Sequence, residues 1–462
     1  MRTFSLLLLL ASMTTSTMAI ETGSGWTEKC EALAAMPLEP GISSAGVPWE
    51  SLHPDPAITA CRAAYIENPT SKIVAFRLGR SLLSAKKTDE ALEHLLFAAE
   101  AGYAPAATSF GLTYLFGDGV EVNHQLAFKW LTRASEQGDA VGQYNLAAML
   151  QTGRGVATNY NAAVELYQQS AKQGFAPAQD NLGYMYMAGI GIPQDYENAA
   201  KWITLSAEQG HIPAQIHLAN LHLNGLGVAK DFERANELFM LASARGSAEG
   251  QLGLANSYRY GRGVEKNTST ALEWFQHAAD QHNSIAQNTL GEFYELGIAT
   301  PVDLKLAASW YAKSADQNNP YAQYNLARLV ETGAGVEQNS NRAYDLYLAS
   351  AGQDLPEANY AIAEMYWRGV GAPKNSLKAR AWFMRAADRG SLEGLYMLGV
   401  TYAQPNGSRQ DFTTARHYYE IAADYGHVGA QKALNDLIGS HFGPKDRPKV
   451  IKELSLGRIS EF

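Results

Sequence analysis

From Gly102 to Tyr425 the chain is nine consecutive blocks of 36 residues, in register throughout. A fixed period in this range marks a fold made of stacked supersecondary units, each too small to bury its own apolar face. One column holds Ala127, Ala163, Ala199, Ala235, Ala271, Ala307, Ala343, Ala379 and Ala415, without exception. Three residues further on come Trp130, Leu166, Trp202, Leu238, Trp274, Trp310, Leu346, Trp382 and Tyr418. No reactive group repeats along with them. Such a chain builds a surface, and the expectation is a binding protein, not an enzyme.

Each block divides into two helices. The first carries apolar residues at helical spacing, as in Leu146, Ala147 and Leu150. A loop follows that reads Gly117-Asp118-Gly119-Val120 in the first block and Gly261-Arg262-Gly263-Val264 in the fifth. Glycine at these positions suits a helix end that passes through positive φ. Four residues beyond the second loop position sits Asn or Asp in all nine blocks, from Asn123 to Asp411. An Asx column just before an amphipathic segment predicts an N-cap, and capping explains why the two residues interchange.

In the second helix Ala127, Trp130, Leu131 and Ala134 form one stripe at i, i+3, i+4 and i+7. The all-alanine column implies a close helix approach, and the Trp column is expected in the core. Small residues recur in the first helix at Ala106, Gly142, Ala178, Ala214, Gly250, Ala286, Ala322, Ala358 and Gly394.

The string Ala178-Gln179-x-x-Leu182-Gly183-x-x-Tyr186-x-x-Gly189-x-Gly191-Ile192-x-x-Asp195-x-x-x-Ala199-x-x-Trp202 resembles the Sel1-like repeat, a relative of the tetratricopeptide repeat. The resemblance covers 324 of 462 residues. It implies an all-α fold, a right-handed superhelical solenoid of stacked antiparallel helix pairs. Two blocks depart from it: the sixth has Ala299-Thr300-Pro301 where Gly-Val belongs, and the ninth has Pro405 for its first Gly. The organisation expected around the repeats 102–425 is a signal peptide 1–19, an N-terminal disulfide-containing segment 20–67, and a tetratricopeptide-like helix pair 68–101. A C-terminal capping helix 426–440 and a polar tail 441–462 follow them. Lys432, Asn435 and Asp436 suit the polar side of such a cap.

The leader reading rests on Met1-Arg2, the apolar run Phe4 to Ala11, and the small-residue site Thr17-Met18-Ala19. It predicts a periplasmic or secreted chain, cleaved near Ile20 and not inserted in a membrane. Cys30 and Cys61 are the two cysteines, and in an oxidising compartment an isolated pair is expected to be bridged. Such a bridge is worth roughly 3–4 kcal/mol by the chain-entropy estimate. Their segment, with Cys30 to Leu33 and Ala60-Cys61-x-x-Ala64, also resembles the leader domain of exported alphaproteobacterial Sel1-like proteins.

With 46 acidic and 37 basic residues, a net charge of −9 offers no basic face for nucleic acid or anionic membrane. No metal or cofactor is expected. Ser84-Ala85-Lys86-Lys87 fits a Ser-x-x-Lys nucleophile pattern, but neither Ser-Asp-Asn nor Lys-Thr-Gly accompanies it. His217 and His222 stand five apart on one helix and read as surface or groove residues. In tetratricopeptide relatives the first helices line a concave groove. Carried across by register, that resemblance selects Asp180, Tyr184 and Asn220 in earlier blocks, then Asn256, Arg259, Tyr260, Glu292, Glu295 and Glu331. Its densest cluster is Tyr324, Arg328, Tyr360, Glu364, Trp367, Arg368 and Tyr396, residue types that dominate hot spots. The expected partner is a protein or peptide, and the chain is expected to be monomeric. A penicillin-interacting hydrolase of the cell wall and an endoplasmic-reticulum adaptor resembling Sel1 are the alternatives.

Overall fold

The computed structural model describes residues 25–36, 46–404 and 411–441. The expected leader, Pro37 and Pro40, the Pro405 loop and the tail from residue 442 lie outside the described residues. Two compact units divide the chain, one ending at Ala229 and one beginning at Lys230. The first contains α1 (Trp26–Ala34), α2 (Pro54–Glu67), α3 (Lys72–Ser84), α4 (Thr88–Glu100), α5 (Ala104–Phe116), α6 (His124–Glu136), α7 (Ala140–Thr152), α8 (Tyr160–Lys172), α9 (Ala176–Ala188), α10 (Tyr196–Glu208) and α11 (Ile212–Asn224). The second contains α12 (Phe232–Ala244), α13 (Ala248–Tyr260), α14 (Thr268–Asp280), α15 (Ser284–Leu296), α16 (Leu304–Ala315), α17 (Pro320–Thr332), α18 (Ser340–Ala351), α19 (Pro356–Arg368), α20 (Ser376–Asp388), α21 (Leu392–Ala403), α22 (Phe412–Asp424) and α23 (Val428–His441). No strand occurs among the described residues. Within each unit every helix packs on its successor, so the fold is an all-α solenoid of helix pairs. From α5 to α22, odd numbers are first helices and even numbers second helices.

The local chemistry sets these boundaries. All nine Asx residues of the column cap a second helix, each side chain accepting a backbone amide two or three residues on. At the first loop position, Gly117 to Gly369 end eight first helices in the left-handed region, with φ from +67° to +78°. The second loop position needs room as well. A Cβ on Gly227 would lie 1.9 Å from the carbonyl oxygen of Tyr196, at the start of the preceding second helix. In the sixth block Ala299 holds the same left-handed conformation at φ +57°, so the missing glycine does not change the path of the chain. A third such column, where a second helix hands over to the next first helix, contains Gly102, Gly138, Gly174 and Gly210 but also His282, Asn318 and Asp354, all at positive φ.

The alanine column is fully buried from Ala127 to Ala415. The Trp column is less so. Trp130 and Trp310 are buried, whereas Trp202, Trp274 and Trp382 are half-buried. The residue after each is the core residue: Leu131, Tyr167, Ile203, Phe239, Phe275, Tyr311, Tyr347, Phe383 and Tyr419 are all buried. Position i+4 from the alanine points between the helices, while i+3 lies at the rim of the stripe. There Arg133, Lys313 and Arg385 lie over Trp130, Trp310 and Trp382 at 5.3, 3.6 and 4.5 Å.

The N-terminal segment is fastened to the first pair. Cys30 of α1 and Cys61 of α2 form a disulfide, and both are buried. From α3 the buried Arg80 donates to the carbonyls of Ala34, Ala35 and Val47 at 3.0, 3.3 and 2.6 Å. It thereby supplies donors to carbonyls at the end of α1, which have no partner within the helix. Arg77 pairs with Glu31 at 3.4 Å. At the other end α23 buries Ala430, Leu434 and Leu437 and exposes Lys432, Asn435 and Asp436. No described helix is long and apolar enough to cross a membrane.

Ala343, fully buried in α18, leaves no volume for a larger side chain. Ala343→Leu should cost about 1–3 kcal/mol by overpacking, while Ala349→Leu on the exposed side of the same helix should stay within about 0.5 kcal/mol. Equal urea midpoints for the two variants would contradict this. Ala299→Gly should raise stability by up to about 1 kcal/mol, because glycine removes the left-handed penalty at a solvent-exposed loop.

Candidate partner-binding face

The first helices of the second unit bring the sequence-selected residues onto neighbouring turns. Tyr324 of α17, Tyr360 of α19 and Tyr396 of α21 share one register position and are half-buried. Each leans on the core aromatic of its own pair: Tyr347 at 5.7 Å, Phe383 at 5.5 Å and Tyr419 at 5.9 Å. Tyr396 also stacks on His427 at 4.7 Å. Burial pushes the Tyr324 phenol up, and burial with the nearby Glu364 pushes Tyr360 up to about 12. All three rings are held in place by the core aromatics they lean on.

Charge on the face is arranged in bridges between successive first helices. Arg328 pairs with Glu295 of α15 at 2.5 Å, and Arg368 pairs with Glu331 of α17 at 2.7 Å. The other oxygen of each carboxylate accepts a buried phenol, from Tyr311 at 2.7 Å and from Tyr347 at 3.0 Å. Burial works against the charge on Arg328, but the hydrogen bond and field of Glu295 outweigh it and hold the guanidinium above its ordinary value. A cavity of about 400 Å³ opens where Glu295, Arg328, Glu331 and Thr332 meet. Arg259 lies over the rings of Tyr260 and Phe293 and faces Glu292 at 3.6 Å. Tyr260 is 54% exposed. Trp367 is packed against the core, and Glu364 accepts from Tyr360 at 3.4 Å. Tyr324 to Tyr396 thus form one patch over α17, α19 and α21, while Arg259 and Tyr260 stand apart on α13.

The carboxylate–phenol link is a feature that the register reading missed. Its signal is a pair of columns 16 residues apart. Where the first is Gln151, Glu295 or Glu331, the second is Tyr167, Tyr311 or Tyr347; where it is Met187, Arg259 or Trp367, the second is Ile203, Phe275 or Phe383. Tyr167 donates to Gln151 at 2.8 Å, so the same link also occurs in the first unit.

In the first unit the expected groove residue Asp180 is buried instead. It bonds His217 at 2.8 Å and lies 3.7 Å from His211. Burial pushes the His211 imidazole below its ordinary value, against the pull of Asp180. Tyr184 stacks on His217, whereas His222 is half-buried and meets the carbonyl of Ala229 at 3.1 Å. Ser84 is the last residue of α3, and Lys87 lies beyond the turn at Lys86, whose φ is +57°. The two do not share a helical turn, as a Ser-x-x-Lys nucleophile pair on one helix would.

Stacked helix pairs with this loop and cap chemistry define a helical-repeat solenoid of the tetratricopeptide-like class. The Sel1 repeat family model matches residues 75–103, 105–139, 140–175, 176–211, 212–247, 248–283, 284–319, 320–355, 356–391 and 392–427. The chain belongs to the Sel1 repeat family, whose fold generally serves as a protein-interaction scaffold. The family match takes in most of the α3–α4 pair as its first repeat. Among solved structures the chain is similar to c5321, a protective antigen present in uropathogenic Escherichia coli strains that displays an SLR fold. The identity is 26% over 83% of this chain and 90% of that one, with a TM-score of 0.52. A Sel1 repeat protein from Oxalobacter formigenes is similar at 27% identity over 66% of this chain and 88% of that one, TM-score 0.49. No curated protein matches the chain.

The paired columns generate a double-mutant prediction. Tyr347→Phe leaves Glu331 short of a donor and should cost about 1 kcal/mol, and Glu331→Leu should cost about 1–3 kcal/mol by orphaning the buried phenol. The combined variant reproduces the apolar pairing of Met187 with Ile203 and should cost at least about 0.5 kcal/mol less than the sum. Additive urea-denaturation energies would show that the two groups are not coupled.

Proposed function

We propose that the chain is an exported scaffold that binds a protein or peptide partner on the first-helix face of its second unit. The observation that carries this reading is the patch of Tyr324, Tyr360, Tyr396, Arg328 and Arg368. Its half-buried aromatic rings are held in place by the core, and its guanidiniums are already oriented by carboxylates. Pre-ordered aromatic and arginine side chains lose little entropy on binding, which is what makes them effective anchors. Export is supported by the leader read in the sequence and by the Cys30–Cys61 bridge, which an oxidising compartment maintains. The similar c5321 chain is described as a protective antigen, which agrees with a location outside the cytoplasm.

The test is capture of partners from the envelope compartment of the source cell by immobilised protein. Tyr324→Ala, Tyr360→Ala and Arg368→Ala should each weaken capture by about fivefold or more, the equivalent of about 1 kcal/mol. Far-ultraviolet circular dichroism should remain near that of the wild type. Ser84→Ala and Lys87→Ala should capture as the wild type does. Wild-type capture by all five variants would remove the face from consideration.

A further inference from the structure

The charge on the binding face is unevenly distributed between the two layers of helices. In the second unit, the first helices α13, α15, α17, α19 and α21 carry seven glutamates against three arginines and no lysine. The second helices α12 to α22 carry eight acidic and eight basic residues. The acidic excess therefore belongs to one face and is not a property of the whole unit. All three arginines are already neutralised there, by Glu292, Glu295 and Glu331.

Of the four remaining carboxylates Glu249 stands apart on α13, and the other three lie on α19 and α21, the helices of two of the tyrosine platforms. Glu357 lies three residues before Tyr360 and Glu364 four residues after it, one turn away on the same side of α19. Glu393 stands likewise before Tyr396 on α21 and acts electrostatically on Tyr360 as well. Among the described residues no cation pairs with Glu357, Glu364 or Glu393. Arg368, one turn after Glu364 on α19, is engaged by Glu331, and Arg389 pairs with Asp354. His427 stacks on one side of Tyr396, and Tyr360, half-buried against Phe383, lies in the field of Glu364 and Glu393.

We propose that the α19–α21 end of the face receives an extended partner segment bearing lysine or arginine, its cations seated over Tyr360 and Tyr396 and paired with Glu364 and Glu393. An aromatic face and a carboxylate attract the same cation, and each strengthens where the other excludes water. An acidic segment would meet the same carboxylates as repulsion, so the arrangement also rejects. Successive platforms sit on successive first helices, spaced on the order of 10 Å. An extended chain advances about 3.3 Å per residue, so basic residues three apart match the platforms. This assignment rests on the face being the binding site.

The test uses the full chain and two fluorescein-labelled peptides, Lys-Gly-Ser-Lys-Gly-Ser-Lys and its counterpart with Glu for Lys, read by fluorescence anisotropy at low salt. The lysine peptide should bind and the glutamate peptide should not. E364Q/E393Q should weaken the lysine peptide tenfold or more. E233Q/E237Q, which removes the same charge from the exposed side of α12, should change it less than twofold. Equal losses in the two double variants would mean a non-specific response to net charge and overturn the proposal. Wild-type affinity in E364Q/E393Q, or no binding of the lysine peptide to a correctly folded chain, would overturn it too. If partner capture still depends on Tyr360 after such a result, only the basic-segment assignment fails. If the lysine peptide binds as expected but capture ignores Tyr360, the scaffold reading of this face fails instead.

Discussion

The close approach of the two helices within each repeat is the constraint on which the fold depends. It is imposed from both sides. The second helix presents the alanine column, and the first helix answers with Gly111, Ala147, Gly183, Ala219, Ala255, Gly291, Ala327, Ala363 and Gly399. A Cβ on Gly183 would stand 2.4 Å from Ile203 and 3.0 Å from the carbonyl of Ala199; one on Gly291 or Gly399 would stand 2.4 Å from Tyr311 or Tyr419. The small column is thus the socket for the large residue four positions past the alanine. The socket is glycine opposite Tyr311 and Tyr419 and alanine opposite Tyr167, Phe275 and Tyr347, so the column stays small whatever large residue it receives.

Backbones this close bury polar groups, and the repeat carries its own means of satisfying them. Ser170, Ser206, Ser314 and Ser350 donate to the carbonyls that open their own first helices, at 2.6 to 2.8 Å. A glutamine column adds a second tie. Gln179 donates to the carbonyl of Ala171 at the end of the preceding helix and accepts from Gln209 at 2.7 Å. Gln287 repeats the arrangement with Ala279 and Gln317. One side chain thereby joins three helices, and the pairing is directional, which helps fix the register of each pair on the last.

The parts of this architecture that depend on near neighbours along the chain are legible in the sequence itself. The period, the Asx caps, the left-handed glycines and the alanine column all follow from local backbone geometry. The rim position of the Trp column does not, because spacing along a helix gives a stripe without saying which edge of it faces the next pair. Arg77 and Arg80 are equally hidden. Arginine is ordinarily a surface residue, and nothing local indicates that the carbonyls at the end of α1 await Arg80. The polar columns 16 residues apart are visible in principle, since the sequence compares its own repeats. Asp180 departs for the opposite reason. Register assigns it to the face, but His211 and His217 close over it.

Asp180 also marks where the two units differ in chemistry. The first helices α5, α7, α9 and α11 contain no lysine, arginine or glutamate, and Asp180 is their one acidic residue. Its charge is consumed inside the fold. The corresponding helices of the second unit bear ten charged residues, and their arginines are tied to neighbouring first helices. Both units meet the same packing constraint with the same alanines and glycines, so packing does not require this difference. Charges at solvent-facing positions add little to stability when paired across an exposed surface. Their concentration on one layer of one unit, from α13 to α21, is what the proposed recognition role of that layer would account for.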